Sequence, residues 1–418
     1  LLLQTLAASL IWGINTLFLL DAGLSITEAF VANAAFTAGM VIFEIPTGVV
    51  ADARGRRISF ILGAATLLVT TLAYLLLWVV GAHILWWVLV SALIGLGFTF
   101  FSGATEAWLV DALEATGYDG AIETVFGKGQ AMAGGATLVG TIAGGFLGGI
   151  SFGIPYGLRS LLLLAVIGAA WKWMHDIGYE PDREGSVADQ ARAILKASVT
   201  HGLRNPPVRM FLLAAPFSAG VGIWVFYAFQ PYLLELFGDP DATYLAGIAA
   251  AAFAIAQMIG GASVNLVRRV FRSRTSVLLT TATFAAMALV AVGLAEQLAI
   301  PVGFWVAIGL LALTALLWAL SGPMQQAYLN AVIPSKQRAT VLSFASLTGS
   351  AGGVVSQPAL GRVADVWSLG TGYIVAGVLF AFQLPFLARV KSMGLDADKV
   401  QPLDSAPVAA QPDGEEPL

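Results

Sequence analysis

Two apolar runs near the start of the chain, residues 26–51 and 58–80, are parted by one crowded patch of charge, Gly48-Val49-Val50-Ala51-Asp52-Ala53-Arg54-Gly55-Arg56-Arg57. Each run exceeds the roughly 20 residues that carry an α-helix across a bilayer. Asp52, Arg54, Arg56 and Arg57 fall within six residues, and a cluster this dense cannot lie in hydrocarbon. It marks a tight turn at a membrane surface, where Gly55 lets the backbone reverse. In hydrocarbon a backbone must satisfy its own polar groups, which leaves only helices or closed barrels. Runs of this length select helices.

The rest of the chain repeats the pattern. Only 11% of its 418 residues are charged, 58% are hydrophobic and the mean hydropathy is +0.83, whereas soluble domains carry about 25% charge. The predicted fold is all-α and membrane-integral, with about twelve transmembrane helices. Six spans are expected in the first half, over residues 1–20, 26–51, 58–80, 84–112, 122–150 and 155–178. The first is already under way at Leu1, so the sequence is expected to lack its initiator and whatever preceded it. Six more are expected over 210–237, 243–267, 276–298, 301–331, 339–366 and 369–388. The halves, 1–178 and 210–390, form two six-helix bundles. Between them, residues 179–209 make a polar linker in which Ser186-Val187-Ala188-Asp189 resembles a capping box, and Val187, Ala191, Ile194, Leu195 and Val199 recur at helical spacing. A surface helix is predicted there. The tail, 391–418, has too little apolar content to pack and is expected to be disordered.

Charge sets the orientation. With the amino end in the cytoplasm, every one of the 21 Lys and Arg residues except Arg159 and Arg362 lies on that side, so both termini are expected in the cytoplasm of a multi-pass plasma-membrane protein. The chain has no cysteine, and His83, His175 and His201 are far apart. Disulfides are excluded, and no metal site or cofactor is expected. No phosphate-binding loop or extramembrane domain supports an enzyme, a receptor, ATP coupling or nucleic-acid binding. An ion gradient, taken to be protons, is left as the energy source, with the bilayer and a small molecule as the partners of a monomer.

Short echoes about 210–220 positions apart suggest an internal duplication. The charged turn recurs weakly as Gly261-Ala262-Ser263-Val264-Asn265-Leu266-Val267-Arg268-Arg269. Ser102-Gly103 with Glu106-Ala107-Trp108-Leu109 is matched by Ser321-Gly322 with Gln326-Ala327-Tyr328-Leu329, and Gly140 with Gly144 by Gly349 with Gly353. Where the copies differ, the first has a carboxylate and the second an amide: Asp52 against Asn265, Glu106 against Gln326. Proton chemistry is therefore expected in the first half, facing a neutral binding wall in the second.

Ionisable residues inside spans are functional candidates because burying them is costly. Glu106 with Thr99 and Ser102 forms a polar face on the fourth span, and Glu44 precedes Pro46 in the second. A carboxylate in a dehydrated cleft holds its proton more readily, so a bound cation could displace it. The competing role for Glu44 or Glu106 is pairing with Arg54, Arg56 or Arg57. Asp111, Glu114 and Glu123 lie near the surface, and Lys172 reaches to it. No arginine or lysine is expected at mid-membrane, which argues against an organic anion as substrate.

A pocket can be sketched from Trp12 and Asn15 in the first span, Asn33 in the second, Gln130 at the start of the fifth, and Trp224, Tyr227 and Gln230 at intervals of three in the seventh. Gln257 in the eighth span and Trp318, Gln325 and Gln326 in the tenth complete it. Large rings with a few amides suit a flat amphipathic ligand, although membrane aromatics also serve as interface belts and packing.

The pattern G-x-x-x-D-x-x-G-R-R, carried here by Gly48, Asp52, Gly55, Arg56 and Arg57, resembles the loop between helices 2 and 3 of the major facilitator superfamily. That resemblance implies the two-bundle fold and a latch, in which the Asp faces a helix end in the other half and the arginines pair with carboxylates of neighbouring helices. Gly140-Thr141-Ile142-Ala143-Gly144-Gly145-Phe146-Leu147-Gly148-Gly149 is similar to the family's antiporter motif, with Gly145 where that motif has proline. Phe43-Glu44-Ile45-Pro46-Thr47-Gly48 and Glu106-Ala107-Trp108-Leu109-Val110-Asp111 look like bacterial tetracycline and macrolide efflux proteins. The resemblance implies proton-coupled multidrug efflux by alternating access, with Glu106 or Glu44 coupling the proton. The other transporter reading is a proton-coupled importer or facilitator of a small metabolite or lipid-like substrate.

Overall fold

The computed structural model describes residues 1–102, 104–120, 122–179, 202–334 and 338–400. In the first half the helices are α1 (Leu2–Trp12), α2 (Asn15–Asp21), α3 (Ile26–Arg54), α4 (Arg56–Val80), α5 (Ile84–Phe101), α6 (Ala104–Ala115), α7 (Ile122–Ile150) and α8 (Gly153–Trp173). In the second they are α9 (Pro206–Ala215), α10 (Val221–Phe237), α11 (Thr243–Ala262), α12 (Val264–Val270), α13 (Arg274–Leu294), α14 (Val302–Val332), α15 (Arg338–Val366), α16 (Leu369–Ala381) and α17 (Leu384–Ser392). The predicted linker helix lies outside the described residues, as does the tail beyond residue 400.

Local chemistry sets the helix ends. Ser25 opens α3 with a capping box: its hydroxyl accepts the Glu28 N–H (3.2 Å) while the Glu28 carboxylate accepts the Ser25 N–H (2.9 Å). At the α3–α4 corner Gly55 has φ +103°, and a Cβ there would run into the Asp176 carboxylate, so only glycine fits. Asp176 in turn accepts the Arg57 N–H at 2.8 Å, which places an acid at the positive end of α4.

The predicted twelve spans are only partly met. Among the described residues ten helices are long and apolar enough to cross a membrane, or eleven if α1 and α2, bent by 48°, count as one span. Among the predicted spans, α15 has the length, at 29 residues, but it is rich in Ser, Thr and Gly. Several spans expected to be continuous are also interrupted. The first breaks at Gly13–Ile14, the fourth at Ser102, the eighth at Ser263 and the twelfth at Phe382–Gln383, and the seventh passes through a π-helical turn at Pro216–Gly220.

Each half has its own core. Phe18, Tyr74, Trp87 and Tyr156 centre one cluster of the first half, with Phe60, Leu67 and Phe101 in a second. The core of the second half runs from Val208 to Val390 and takes in buried Phe30 from the first half, with Ile26 packed against it. The tail was expected to be free from 391 onward, yet its first ten residues are ordered. Asp398 accepts hydrogen bonds from the Thr275 N–H (2.7 Å) and the Ser273 hydroxyl (2.7 Å), capping α13.

Candidate functional site: a cleft between the halves

The two ends of the interface between the halves differ. Away from the Gly48–Arg57 turn, at what we term the far end, α3 lies against α15 and α7 against α11. Glycines permit the approach: a Cβ on Gly145 would stand 2.8 Å from the Gly247 Cα, and one on Gly361 2.8 Å from the Phe30 Cβ. Side chains bridge the halves there as well. The Thr243 hydroxyl donates to the Gly145 carbonyl (3.0 Å), Thr27 to Asp365 (2.8 Å), and the Gln357 amide to Thr37 Oγ1 (3.0 Å).

The tightest bridge is Gln230. In an unbroken helix the Thr16 N–H would bond the Trp12 carbonyl. Instead the Gln230 side chain, from α10 of the other half, accepts the Thr16 N–H through Oε1 (2.8 Å) and donates Nε2 to the Trp12 carbonyl (2.8 Å). Its amide has replaced one rung of the ladder, and the bend between α1 and α2 follows. The site is fully buried: Gln230 is 0% exposed.

Toward the turn, which we term the latch end, the halves part. A cavity of about 740 Å³ starts against Phe36, Thr37 and Met40 of α3 and is otherwise walled by the second half. A second, of about 450 Å³, lies between α3 and α15, and the two share Met40, Ser346 and Ser350, forming one cleft. Glu44 lines the outer part and accepts a hydrogen bond from Ser102 at 2.7 Å. Ser343, Ser346 and Ser350 face it from α15 at helical spacing.

At this end the charges are satisfied inside the first half. Arg56 pairs with Asp52 and approaches Asp111 at 3.8 Å. Arg57 donates to the Trp171 carbonyl and lies 5.0 Å from the centre of its ring. Tyr179 donates to the Asp52 carbonyl, and burial pushes its hydroxyl pKa upward, opposed by Arg56. Arg56 thus reaches a carboxylate of a neighbouring helix, Asp111, whereas the Arg57 guanidinium meets the Trp171 carbonyl and ring, and Asp52 meets Arg56 instead of a helix end of the other half.

Of the predicted pocket residues, Tyr227, Gln257, Trp318, Gln325 and Gln326 line the inner cavity. The others do not. Trp224 is buried between Phe30 and Tyr373; Trp12 and Gln230 belong to the bend in the first span. Asn15 donates to Asn33 (2.9 Å) and accepts from Tyr156 (3.0 Å), and Gln130 is exposed on α7. Of the proposed coupling residues, Glu44 faces the cleft; Glu106 is exposed on α6 and lines neither cavity, because the break at Ser102 dissolves the polar face expected there. Within α7, Gly140 packs on Ser9 and Gly144 on Leu10 of α1, a Cβ on Gly148 would lie 3.4 Å from the Ile14 side chain, and Gly145 and Gly149 face α11.

Thr37, Gln383 and the α15 serines complete the cleft and were missed; the serine spacing was the available signal. Arg159 corrects the orientation argument. Expected at the outer surface, it is 1% exposed within the first half, donating to Thr71 Oγ1 (3.1 Å) and the Ala7 carbonyl (3.3 Å). An arginine therefore does lie within the spans, but outside the lining of both cavities.

Comparison with known proteins gives a consistent picture. The profile of the Major Facilitator Superfamily matches residues 1–357. Solved structures align over nearly the whole chain at low identity. The nucleoside transporter NupG has 10% identity and a TM-score of 0.74, over 94% of this chain and 96% of that one. The inward-open xylose transporter XylE from E. coli has 16% identity and a TM-score of 0.68, over 93% and 95%. A peptide transporter, POT, has 14% identity and a TM-score of 0.69, over 94% and 93%. At such identities the likeness is one of fold. No curated protein sequence matches the chain.

Proposed function

This chain belongs to the major facilitator superfamily, and we propose that it is a twelve-span, proton-coupled secondary transporter that exports amphipathic small molecules by alternating access. Two six-helix bundles rock about the cleft. With both termini in the cytoplasm of a plasma-membrane monomer, the latch end faces the cytoplasm and the cleft is inward-open. The observation that carries the reading is the asymmetry of the interface. One end is sealed by glycine contacts and the Gln230 bridge; the other admits a ligand past a carboxylate, Glu44, into a cavity of about 740 Å³, within the roughly 300–1,000 Å³ usual for drug-sized ligands.

Glu44 is the proton site in this scheme. It stands in the cleft between α3 and α15 and accepts a hydrogen bond from the Ser102 hydroxyl. Export is supported by the glycine motif of α7, whose Gly145 lies on Gly247 at the sealed end. A second reading, uptake of a neutral metabolite, is favoured by the uncharged cavity wall and by the solutes that the fold neighbours carry.

The test is reconstitution in liposomes under an imposed pH gradient, following proton flux as amphipathic compounds are added. Substrate-triggered flux is expected in the wild type and in Glu106→Gln, and is lost in Glu44→Gln. Loss in Glu106→Gln with Glu44→Gln active would move the coupling site to α6. Accumulation of a neutral metabolite down the proton gradient would favour uptake.

A further inference from the structure

We propose that the inner cavity is built for an uncharged, planar ligand carrying both a hydrogen-bond donor and an acceptor on its edges. The inference rests on the transporter reading above and specifies its substrate class.

None of the described residues lining the inner cavity carries a formal charge. Among the described residues charge enters the cleft in its outer part, with Glu44 and Asp52. A cation taken into the inner cavity would leave water with no carboxylate to meet it, and an anion would find no guanidinium or ammonium. Moving an ion into such a site is costly unless it is paired. Arg159, the one fully buried arginine among the described residues, is held inside the first half by Thr71 and the Ala7 carbonyl.

The wall instead offers amides. Gln257 on α11 and Gln325 and Gln326 on α14 line the cavity with no hydrogen bond to the protein among the described residues. Gln257 and Gln326 are exposed to the open cleft and Gln325 is half-buried; a carboxamide presents a donor and an acceptor side by side, so a ligand that displaces their water leaves an amide unpaired unless it bonds both. The ligand is therefore required to supply both partners, which a bare hydrocarbon or a lone cation cannot do.

Planarity follows from the rings. Phe226, Phe253, Trp318 and Phe380 form a continuous strip in which successive centroids lie 6.4, 6.3 and 5.8 Å apart, and all four line the cavity, with Phe36 entering from the first half. Such a strip offers ring faces and edges to a flat ligand in offset or T-shaped contact. The sequence repeat fits this division: where the first half has Glu106, outside the cavity, the second has Gln326 inside it.

The experiment uses three probes with one ring system and different charge: acridone (neutral, with N–H and C=O), the N-methylacridinium cation and acridine-9-carboxylate. Binding to the purified full chain is followed by probe fluorescence. Acridone is expected to bind saturably and at least about tenfold more tightly than either ion, a difference equivalent to roughly 1.4 kcal/mol. Gln257→Ala and Gln326→Ala should each weaken acridone about fivefold, the effect of one net hydrogen bond, while the thermal unfolding midpoint is retained. Gln326→Glu should transfer preference to the cation. Equal or tighter binding of the cation to the wild type overturns the proposal, as does absence of acridone binding or its indifference to both alanine variants. Should a variant fail to fold, the wild-type comparison decides alone. The two readings separate in liposomes: acridone binding without proton flux removes antiport and leaves this inference, whereas flux triggered by the cation alone removes this inference and leaves antiport.

Discussion

The far end and the latch end of this molecule are held by different kinds of bond. At the far end the partners belong to opposite halves: Gln230 with Thr16 and Trp12, Thr243 with Gly145, Gln357 with Thr37. At the latch end they share one half, Arg56 with Asp52 and Asp111 and Arg57 with Trp171, or join it to the start of the linker, Tyr179 with Asp52. In the proposed alternating-access cycle a bond across the halves must break when the cleft changes sides, whereas a bond within one half can persist. On that proposal the sealed end determines which state is populated. The charged turn shapes the first half and is free to engage the second only after closure.

The most severe way to disturb this contrast is to fill the sealed end. A Cβ on Gly247 would lie 2.6 Å from the Thr141 carbonyl and 3.0 Å from the Gly145 Cα. Both neighbours are backbone, so neither can rotate away. Gly247→Leu should wedge the far end apart, with overpacking of about 1–3 kcal/mol shifting the equilibrium by roughly fivefold to more than a hundredfold. The chain has no cysteine, so one introduced by Thr243→Cys, at a position 4% exposed, reports this when the same cysteine variant with Gly247 intact is the reference, since the substitution itself removes the hydroxyl bond to Gly145. Its reaction with an impermeant maleimide should accelerate toward the upper end of that range while transport collapses. Unchanged labelling would mean that the halves do not hinge apart at α7 and α11.

Removing the Gln230 side chain is the next largest change. Gln230→Ala leaves the Thr16 N–H and the Trp12 carbonyl buried without their partner, at a cost of about 1–3 kcal/mol for an unsatisfied group. In the opposite state water can reach both groups. The sealed state should be weakened roughly five- to a hundredfold by the same labelling assay. Gln230→Glu sharpens the test: a protonated carboxyl can both accept from Thr16 and donate to Trp12, whereas a carboxylate only accepts. The far end of that variant should close as pH falls and open as it rises. A pH-independent result would show that the amide does not hold the bend.

How much of this was legible in the sequence depends on what each residue had to reveal. The charged turn at Asp52–Arg57 and the ends of α7 were readable because polarity and apolar run length respond directly to the bilayer. The amide wall was half readable: Gln257, Gln325 and Gln326 are polar residues on apolar helices, and polarity there flags a cavity. Gln230 carries the same flag, yet its partners are backbone atoms 214 and 218 residues away, which no spacing rule encodes. Arg159 was misplaced for a similar reason. Counting basic residues by side says nothing about depth, and its Thr71 partner lies on a different helix. The serine-rich α15 dropped below the apolar level of a span because one of its faces lines the cleft, so polarity that weakens a membrane signal here strengthens a functional one.

The smallest effect on the equilibrium is expected at the latch. Asp52→Asn removes the pairing with Arg56, but Asp52 is 42% exposed in its side chain, and exposed ion pairs contribute only about 0–1 kcal/mol. Arg56 keeps Asp111 within 3.8 Å, and no bond between the halves is lost in this state. Far-end labelling should change less than about fivefold, and acridone should bind as it does to the wild type. Turnover should nevertheless slow, because the lost carboxylate is available to the second half only once the latch end closes. A labelling shift as large as that of Gln230→Ala would mean that Asp52 already restrains the open state, and the separation between an end that sets the population and an end that sets the rate would fail.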